Sequence, residues 1–198
     1  MLYAIAHFLR DKLPWVWDLV DSINSCLFSL RYGKKLAAVE SSVLEKYTQE
    51  TGYRVCRMRE VDAEKLAEFF SKQPEEAFTY FRPHGFDAKS VKKLQRNKAF
   101  LAYLLMDGVS VAGYCFNRSF FHGKGFRGRM VDMDYRGKGL GTMMNRLLNE
   151  VGFGTGLRLF ETVSKDNLAS YRSSLSASEV RVVKELPHNE LFLEIIQR

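Results

Sequence analysis

An apolar stripe at helical spacing runs along the amino-terminal part of the chain. Its members recur every three or four residues and are Val16, Val20, Ile23, Leu27 and Leu30. This spacing is typical of one face of an α-helix, which Pro14 can begin and Gly33 can end. A second helix is predicted over residues 37–46. Residues 1–50 are therefore expected to form a helical extension.

Three roles stay open for this stripe. It can pack on the rest of the protein, which is the favoured interpretation, form a homodimer interface, or lie in the plane of a membrane. The polar face of the helix is poor in lysine and arginine, which disfavours the membrane role. Residues 2–8 are apolar, but charged residues follow without a cleavage site, so a signal peptide is rejected. No segment reads as a transmembrane span.

Short apolar runs alternate with helical patterns from Thr51 onward. Strands are predicted over residues 53–58, 100–106, 109–119, 126–133, 157–163, 180–184 and 191–196. Helices are predicted after Asp62, over residues 88–98 and from Leu140, and Asp107-Gly108 marks a two-residue hairpin turn. This order predicts an α/β (α+β) domain over residues 51–198, with one mixed, twisted sheet that carries helices on both faces.

A basic, glycine-spaced turn joins the fourth predicted strand to the helix that follows. The segment from Val131 to Thr142 reads VDMDYRGKGLGT. A strand, a glycine turn and a helix in this order point unpaired main-chain N–H groups at a phosphate, and glycine lets an anion approach closely. Arg136 and Lys138 add positive charge. The spacing matches neither the P-loop nor the dinucleotide-binding fingerprint, and tight helix packing is the alternative role for the glycines.

The pattern Arg136-x-x-Gly139-x-Gly141, five residues after Val131, resembles the acetyl-CoA pyrophosphate loop of the GNAT family of N-acetyltransferases. In GNAT proteins the next strand leads to an asparagine and then to a small residue three positions on, and Asn167 and Ser170 fit. The resemblance covers about residues 52–198. It implies a GNAT-like fold and direct transfer of an acetyl group from acetyl-CoA to an amine.

The resemblance also implies which residues bind acetyl-CoA. Main-chain amides of residues 137–142 would hold the pyrophosphate. The N–H of Val131 would stabilise the tetrahedral oxyanion, and Val131 and Met133 would pair with the pantetheine arm. The expected coenzyme-binding residues are Val131, Met133, Arg136, Gly137, Lys138, Gly139, Leu140, Gly141, Thr142 and Asn167.

The chain departs from the family at the residues that would move protons. Gly125 stands where some members have a glutamate, and Ser174 stands where many have a tyrosine that protonates the departing thiolate. The remaining candidates for the general base are Glu161, His122 and Asp132. For the general acid, Ser174 matches by spacing and Tyr171 by chemistry.

Each catalytic candidate also has a structural alternative. Glu161 and Asp132 can be solvated carboxylates at strand edges, and His122 can be an ordinary hairpin residue. Tyr171 can be a core tyrosine of the helix after Asn167. The missing glutamate and tyrosine motivate a second functional hypothesis, in which the chain is a non-catalytic acyl-CoA-binding or regulatory module.

The composition limits the classes of binding partner that are expected. The chain has 198 residues, of which 46% are hydrophobic, enough for one well-buried core. Its net charge of +7 favours anionic partners such as coenzyme A, nucleic acid or acidic membranes. The basic residues are spread along the chain, so no nucleic-acid partner is expected. The expected acceptor is a small-molecule amine. An amino sugar is favoured, because the extension resembles that of GNAT proteins from bacterial surface-polysaccharide pathways.

The cysteines indicate the redox state of the compartment, and the histidine spacing gives no reason to expect a metal. Cys26, Cys56 and Cys115 lie far apart and form no C-x-x-C pair, which favours a reducing, cytoplasmic compartment. The four histidines show no spacing typical of metal ligands, so no metal is expected.

Overall fold

The computed structural model describes residues 14–197, so the predictions about residues 2–8 lie outside the described part of the chain. The helices are α1 Pro14–Thr51, α2 Ala63–Lys72, α3 Ala88–Arg96, α4 Leu140–Thr155 and α5 Leu168–Ala177. The strands are β1 Arg54–Arg57, β2 Phe100–Asp107, β3 Ser110–Ser119, β4 Lys124–Val131, β5 Arg158–Ser164, β6 Glu179–Leu186 and β7 Glu190–Ile196. Short 3-10 turns occupy Met58–Glu60, Glu75–Phe78 and Met133–Tyr135.

The strands form one mixed sheet in the order β1-β2-β3-β4-β5-β7-β6. Only the β4–β5 pairing is parallel, and every other neighbouring pair is antiparallel. On one face, Phe28 of α1 and Leu148 of α4 belong to the larger core cluster. On the other face, Phe70 of α2 and Val91 of α3 belong to a second, aromatic-rich cluster. A mixed sheet with helices on both faces, as predicted, is confirmed.

The strands β4 and β5 separate after a short paired stretch. They pair over only three positions, from Lys124 opposite Arg158 to Phe126 opposite Phe160. Beyond this point β4 continues to Val131 and β5 to Ser164 without pairing to each other. The sheet is therefore split by a wedge-shaped gap that opens toward the carboxyl ends of both strands.

Helix α1 is continuous, which makes the predicted stop at Gly33 and the separate helix over residues 37–46 wrong. Its 38 residues correspond to about 57 Å at 1.5 Å per residue. Every fourth residue from Asn24 through Leu44 faces the sheet, and the buried members are Asn24, Phe28, Tyr32, Glu40 and Leu44. This stripe passes Gly33 without a change of phase. Burial on both sides of the glycine thus outweighs its low helix propensity.

The buried face of α1 is not the apolar stripe that the sequence suggested. Ile23 is 50% exposed and Leu30 is 78% exposed, and Val20 and Leu27 are exposed as well. The expectation that this stripe packs on the domain is therefore wrong within residues 14–197. The sheet instead packs against a neighbouring face, where Phe28 and Leu44 join the larger core cluster. The side-chain amide of Asn24 on this face donates to the Ser119 carbonyl at 3.0 Å. None of the described helices combines the length and apolar character needed to cross a bilayer.

The hairpin between β2 and β3 is displaced by one residue from its predicted position. Asp107 pairs with Ser110, so the two loop residues are Gly108 and Val109. Gly108 has a φ of +56°. Glycine at the first central position suits the two-residue turns whose backbone twist matches that of the flanking strands. Asp107 is therefore the last residue of β2.

Two glycine-to-alanine substitutions compare Gly33, inside helix α1, with Gly156, at the end of helix α4. Changing Gly33 to alanine should raise the free energy of unfolding by roughly 0.5–1 kcal/mol, because the site is helical and a β-carbon would lie 3.6 Å from the Ser29 hydroxyl. The matched change Gly156→Ala should lower it, because Gly156 ends α4 with a φ of +93°. Urea unfolding of both variants checks the prediction, and a destabilised Gly33→Ala protein contradicts it.

Candidate functional site

The turn before α4 presents a row of main-chain N–H groups without acceptors. Gly137 and Gly139 have φ values of +77° and +76°, and Gly139 caps α4 without a side-chain hydrogen bond. In the described part of the chain, the N–H groups of residues 137–141 donate to no protein atom. Those of Thr142 and Met143 donate to the Gly139 carbonyl at 3.1 Å. Five free donors at a helix amino terminus form a site for an anion.

The two basic side chains of the turn differ in direction. Arg136 is exposed and lines the mouth of the gap between β4 and β5. The Lys138 ammonium lies 4.6 Å from the centre of the Tyr135 ring. Tyr135 in turn donates a hydrogen bond of 2.8 Å to Asp107. The cation of the turn that faces the gap is therefore Arg136.

A cleft of about 520 Å³ occupies the gap between β4 and β5. Gly137, Gly139 and Gly141 line one end of it. The other end is lined from the opposite face of the sheet by Glu76, Ala77, Tyr80 and Phe81, and by Glu190 at the start of β7. The cleft thus connects the row of free N–H groups to a second, acidic and aromatic chamber.

The edge of β4 toward the cleft carries unpaired main-chain groups. Asp132 donates its N–H to Ala112 of the β3 edge at 3.0 Å. Along an antiparallel strand successive residues point their N–H groups to opposite sides, so the N–H of Val131 points toward β5. No pairing with β5 reaches this far. The N–H of Val131 therefore faces the cleft as a donor.

A buried ionic cluster fills the narrow end of the gap. Arg127 donates from Nε to Glu161 Oε2 at 2.8 Å and from Nη1 to Asn149 at 2.6 Å. Arg129 Nη1 lies 3.6 Å from the same Glu161 oxygen, and its Nη2 donates to the Ser170 carbonyl at 2.8 Å. The three charged side chains are at least nine-tenths buried. Two guanidinium groups share one carboxylate, so the cluster carries a net charge of +1.

Protonation in this cluster follows from burial and charge together. Burial raises the pKa of Glu161, but the two guanidinium groups outweigh it and the pKa lies below the ordinary value of 4.5. Burial lowers the pKa of Arg129 to about 10, so the guanidinium remains charged at neutral pH. Glu161 Oε1 and Arg127 Nη2 have no hydrogen-bond partner among the described residues. Glu161 is therefore a fixed anion with a free oxygen, and the solvated strand-edge alternative is wrong for it.

The other two candidates for a general base lie outside the cleft lining. Asp132 accepts hydrogen bonds from Gln73 at 2.6 Å and from the Asp134 N–H at 3.0 Å, and so caps the short turn after β4. His122 is exposed in the β3–β4 turn and stacks on Phe120 with the ring centres 5.4 Å apart. The length of β4, about 26 Å at 3.3 Å per residue, separates it from Val131.

The candidates for a general acid lie on α5. Tyr171 packs against the small cluster of Val163, Leu191 and Leu193. Ser174 is fully buried and accepts a long hydrogen bond of 3.4 Å from Arg129 Nη2. Its hydroxyl donates to the Ser170 carbonyl at 3.2 Å. Neither residue lines the cleft.

Most of the expected coenzyme-binding residues surround one cavity. The structure brings together at the cleft Val131, Arg136, Gly137, Gly139, Leu140, Gly141, Thr142 and Asn167. Met133 and Lys138 do not line it. Asn167 accepts a hydrogen bond from the Ser170 N–H at 3.1 Å and so caps α5. Arg127 and Arg129 were not among the expected site residues, although charged residues at alternate positions of a strand share one face. Both side chains approach Glu161.

No family model matches this chain, and no curated protein is significantly similar to it in sequence. Solved structures do match. The GNAT domain of S. lividans PAT has a TM-score of 0.62 and 16% identity, over 72% of this chain and 89% of that chain. The Campylobacter jejuni N-acetyltransferase PseH has a TM-score of 0.55 and 14% identity, over 74% and 99%.

The aminoglycoside acetyltransferase AAC(6')-Ib, solved in complex with coenzyme A and kanamycin, is also similar. Its TM-score is 0.55 at 18% identity, over 73% of this chain and 94% of that chain. These likenesses show that the chain has the GNAT fold, and they confirm the fold that the glycine-spaced turn predicted.

Replacing Glu161 with glutamine tests the buried cluster. The change should lower the free energy of unfolding at neutral pH by about 3 kcal/mol or more, because two buried guanidinium groups lose their anion. The wild-type contribution is fully present above the ordinary pKa of 4.5 and is lost as the pH falls through the lowered pKa of the folded protein. The difference between the two proteins should therefore shrink below pH 4.5.

Urea unfolding across this pH range measures the difference. The matched control is Glu68→Gln, which removes an exposed partner of Lys72 and should leave the unfolding midpoint unchanged. A Glu161→Gln penalty that stays constant on acidification contradicts the ionic assignment.

Proposed function

We propose that this chain transfers an acetyl group from acetyl-CoA directly to an amine of a small molecule. The observation that carries the proposal is the row of free N–H groups at residues 137–141, which opens on a cleft between parted strands. A nucleotide diphosphate supplies the negative charge and the hydrogen-bond acceptors that these unpaired N–H groups can bind. Arg136 at the cleft mouth adds a cation for the same ligand.

The rest of the coenzyme fits the cleft by its chemistry. The pantetheine arm carries amide groups that can hydrogen-bond to the unpaired edge of β4. The N–H of Val131 is the donor that would stabilise the oxyanion formed when the amine attacks the thioester carbonyl.

The second chamber supports an amine as the acceptor. Glu76 and Glu190 both line it. Tyr80 adds an aromatic surface that is 54% exposed. Carboxylates and an aromatic face attract a cation, so the chamber suits an ammonium group. We favour an amino sugar, as the complex of a structural neighbour with kanamycin is consistent with such an acceptor.

Release of free thiol tests the activity. The protein is mixed with acetyl-CoA and a panel of amino sugars, aminoglycosides, polyamines and peptides with free amino groups, and the thiol is titrated as it forms. Turnover with at least one amine is expected. Coenzyme A binding without turnover across the panel supports a binding module instead, and the absence of any binding by calorimetry overturns the proposal.

A pair of matched glycine variants tests the anion site. Gly139→Val should abolish measurable coenzyme A binding, because the side chain enters the space that an anion needs beside the free N–H groups. Gly108→Val is the control, since both glycines have a positive φ and open space around the absent β-carbon. Both variants should lose a similar amount of stability, yet only the first should lose binding in calorimetry. Equal coenzyme A affinity in the two variants contradicts the site.

A further inference from the structure

The sulfur that leaves a thioester is stabilised either by a nearby cation or by a proton, and the cleft lining contains a cation. We propose that Arg129 is a catalytic residue whose guanidinium stabilises the thiolate of coenzyme A as it leaves. This inference rests on the proposed acetyl transfer. The amine nitrogen forms a bond to the carbonyl carbon, the carbon–sulfur bond breaks with its electron pair on sulfur, and the proton of the amine passes to water.

Hydrogen bonds hold the Arg129 side chain between the anion site and the narrow end of the cleft. Its Nε lies 3.7 Å from the position that a β-carbon on Gly141 would occupy. Its Nη2 donates to the carbonyl of Ser170 at 2.8 Å and to the hydroxyl of the same residue at 3.1 Å. The guanidinium is therefore fixed on the cleft wall between the first turn of α4 and the buried ionic cluster.

The charge of the cluster is incomplete without a ligand anion. Glu161 Oε2 lies 2.8 Å from Arg127 Nε and 3.6 Å from Arg129 Nη1, so the carboxylate is committed more closely to Arg127. Of the two arginines in the cluster, Arg129 is thus the one with the weaker ionic partner. Inside a protein a charge acts at low effective dielectric, so this cation can stabilise a forming anion more than it could in water.

The two expected general acids, Tyr171 and Ser174, do not compete for this role. Tyr171 is packed against Val163 and lies outside the cleft lining. Ser174 already donates its hydroxyl proton to the Ser170 carbonyl. A sulfur that leaves without a proton is stabilised by a fixed cation, and Arg129 provides it.

The ionisation of bound coenzyme A gives a direct test. The thiolate absorbs in the ultraviolet, so its pKa can be measured for the free ligand and for the ligand bound to the wild-type protein. Binding should lower this pKa by about 1–3 units, the effect of an opposite charge within several ångströms. The charged or titratable groups around Arg129 are Arg127 on β4, Glu161 on β5 and Cys115 on β3. An unshifted thiol pKa in the wild-type complex overturns the inference.

Three variants assign the shift to one side chain. Arg129→Met should abolish the shift and lower kcat roughly 10²–10³-fold, the effect of losing one preorganised donor. Arg129→Lys keeps the positive charge and should retain part of the thiol pKa shift and part of kcat. Arg136→Met is the matched control, because it removes a cleft cation near the phosphates and should raise KM without changing the thiol pKa. A shift that persists in Arg129→Met overturns the assignment, as does the same loss in Arg136→Met.

The outcomes separate this inference from the proposed function. A wild-type protein that fails to bind coenzyme A contradicts the proposed function itself. A protein that transfers acetyl groups but leaves the bound thiol unshifted contradicts only the role of Arg129. If Arg129→Met fails to fold, the wild-type titration and the Arg129→Lys variant still decide the question.

Discussion

The parting of β4 from β5 after three residue pairs is the constraint on which the rest of the structure depends. Strands that separate leave main-chain groups without partners, and buried groups of this kind are costly unless something else satisfies them. The protein fills the narrow end of the gap with Arg127, Arg129 and Glu161, which bridge the two strands through side chains. The wide end is left open and forms the cleft.

The cluster and the glycine turn complement each other along this cleft. The turn supplies donors without formal charge at a helix terminus, and the cluster supplies a buried excess of one positive charge. Both features favour an extended, anionic ligand that runs from the α4 terminus into the gap. The acidic chamber on the opposite face carries the opposite charge. Under the proposed function, the two sides of the sheet therefore suit two different reactants.

The sequence was informative where local chemistry decides the structure. Asp62 does cap α2, and the glycines of the turn do adopt positive φ, because these features depend on neighbours in the chain. It was misleading for α1, where two apolar faces compete. Ile23 looks like a core residue by periodicity, yet the contacts of Asn24 with the β3–β4 turn select the adjacent face. The ion pair of Arg127 with Glu161 joins residues 34 apart, and no local pattern identifies such a partner.

The five free donors before α4 are peptide groups, which every amino acid except proline supplies. What must be preserved at such a site is the path of the backbone, and two residues without a β-carbon suffice to fix it here. The side chains between them can change with little effect on anion binding. Identities as low as 14–18% to structural neighbours are therefore compatible with an intact anion-binding turn. If the proposed site binds its ligand through the main chain, it can persist during evolution while the sequence around it diverges.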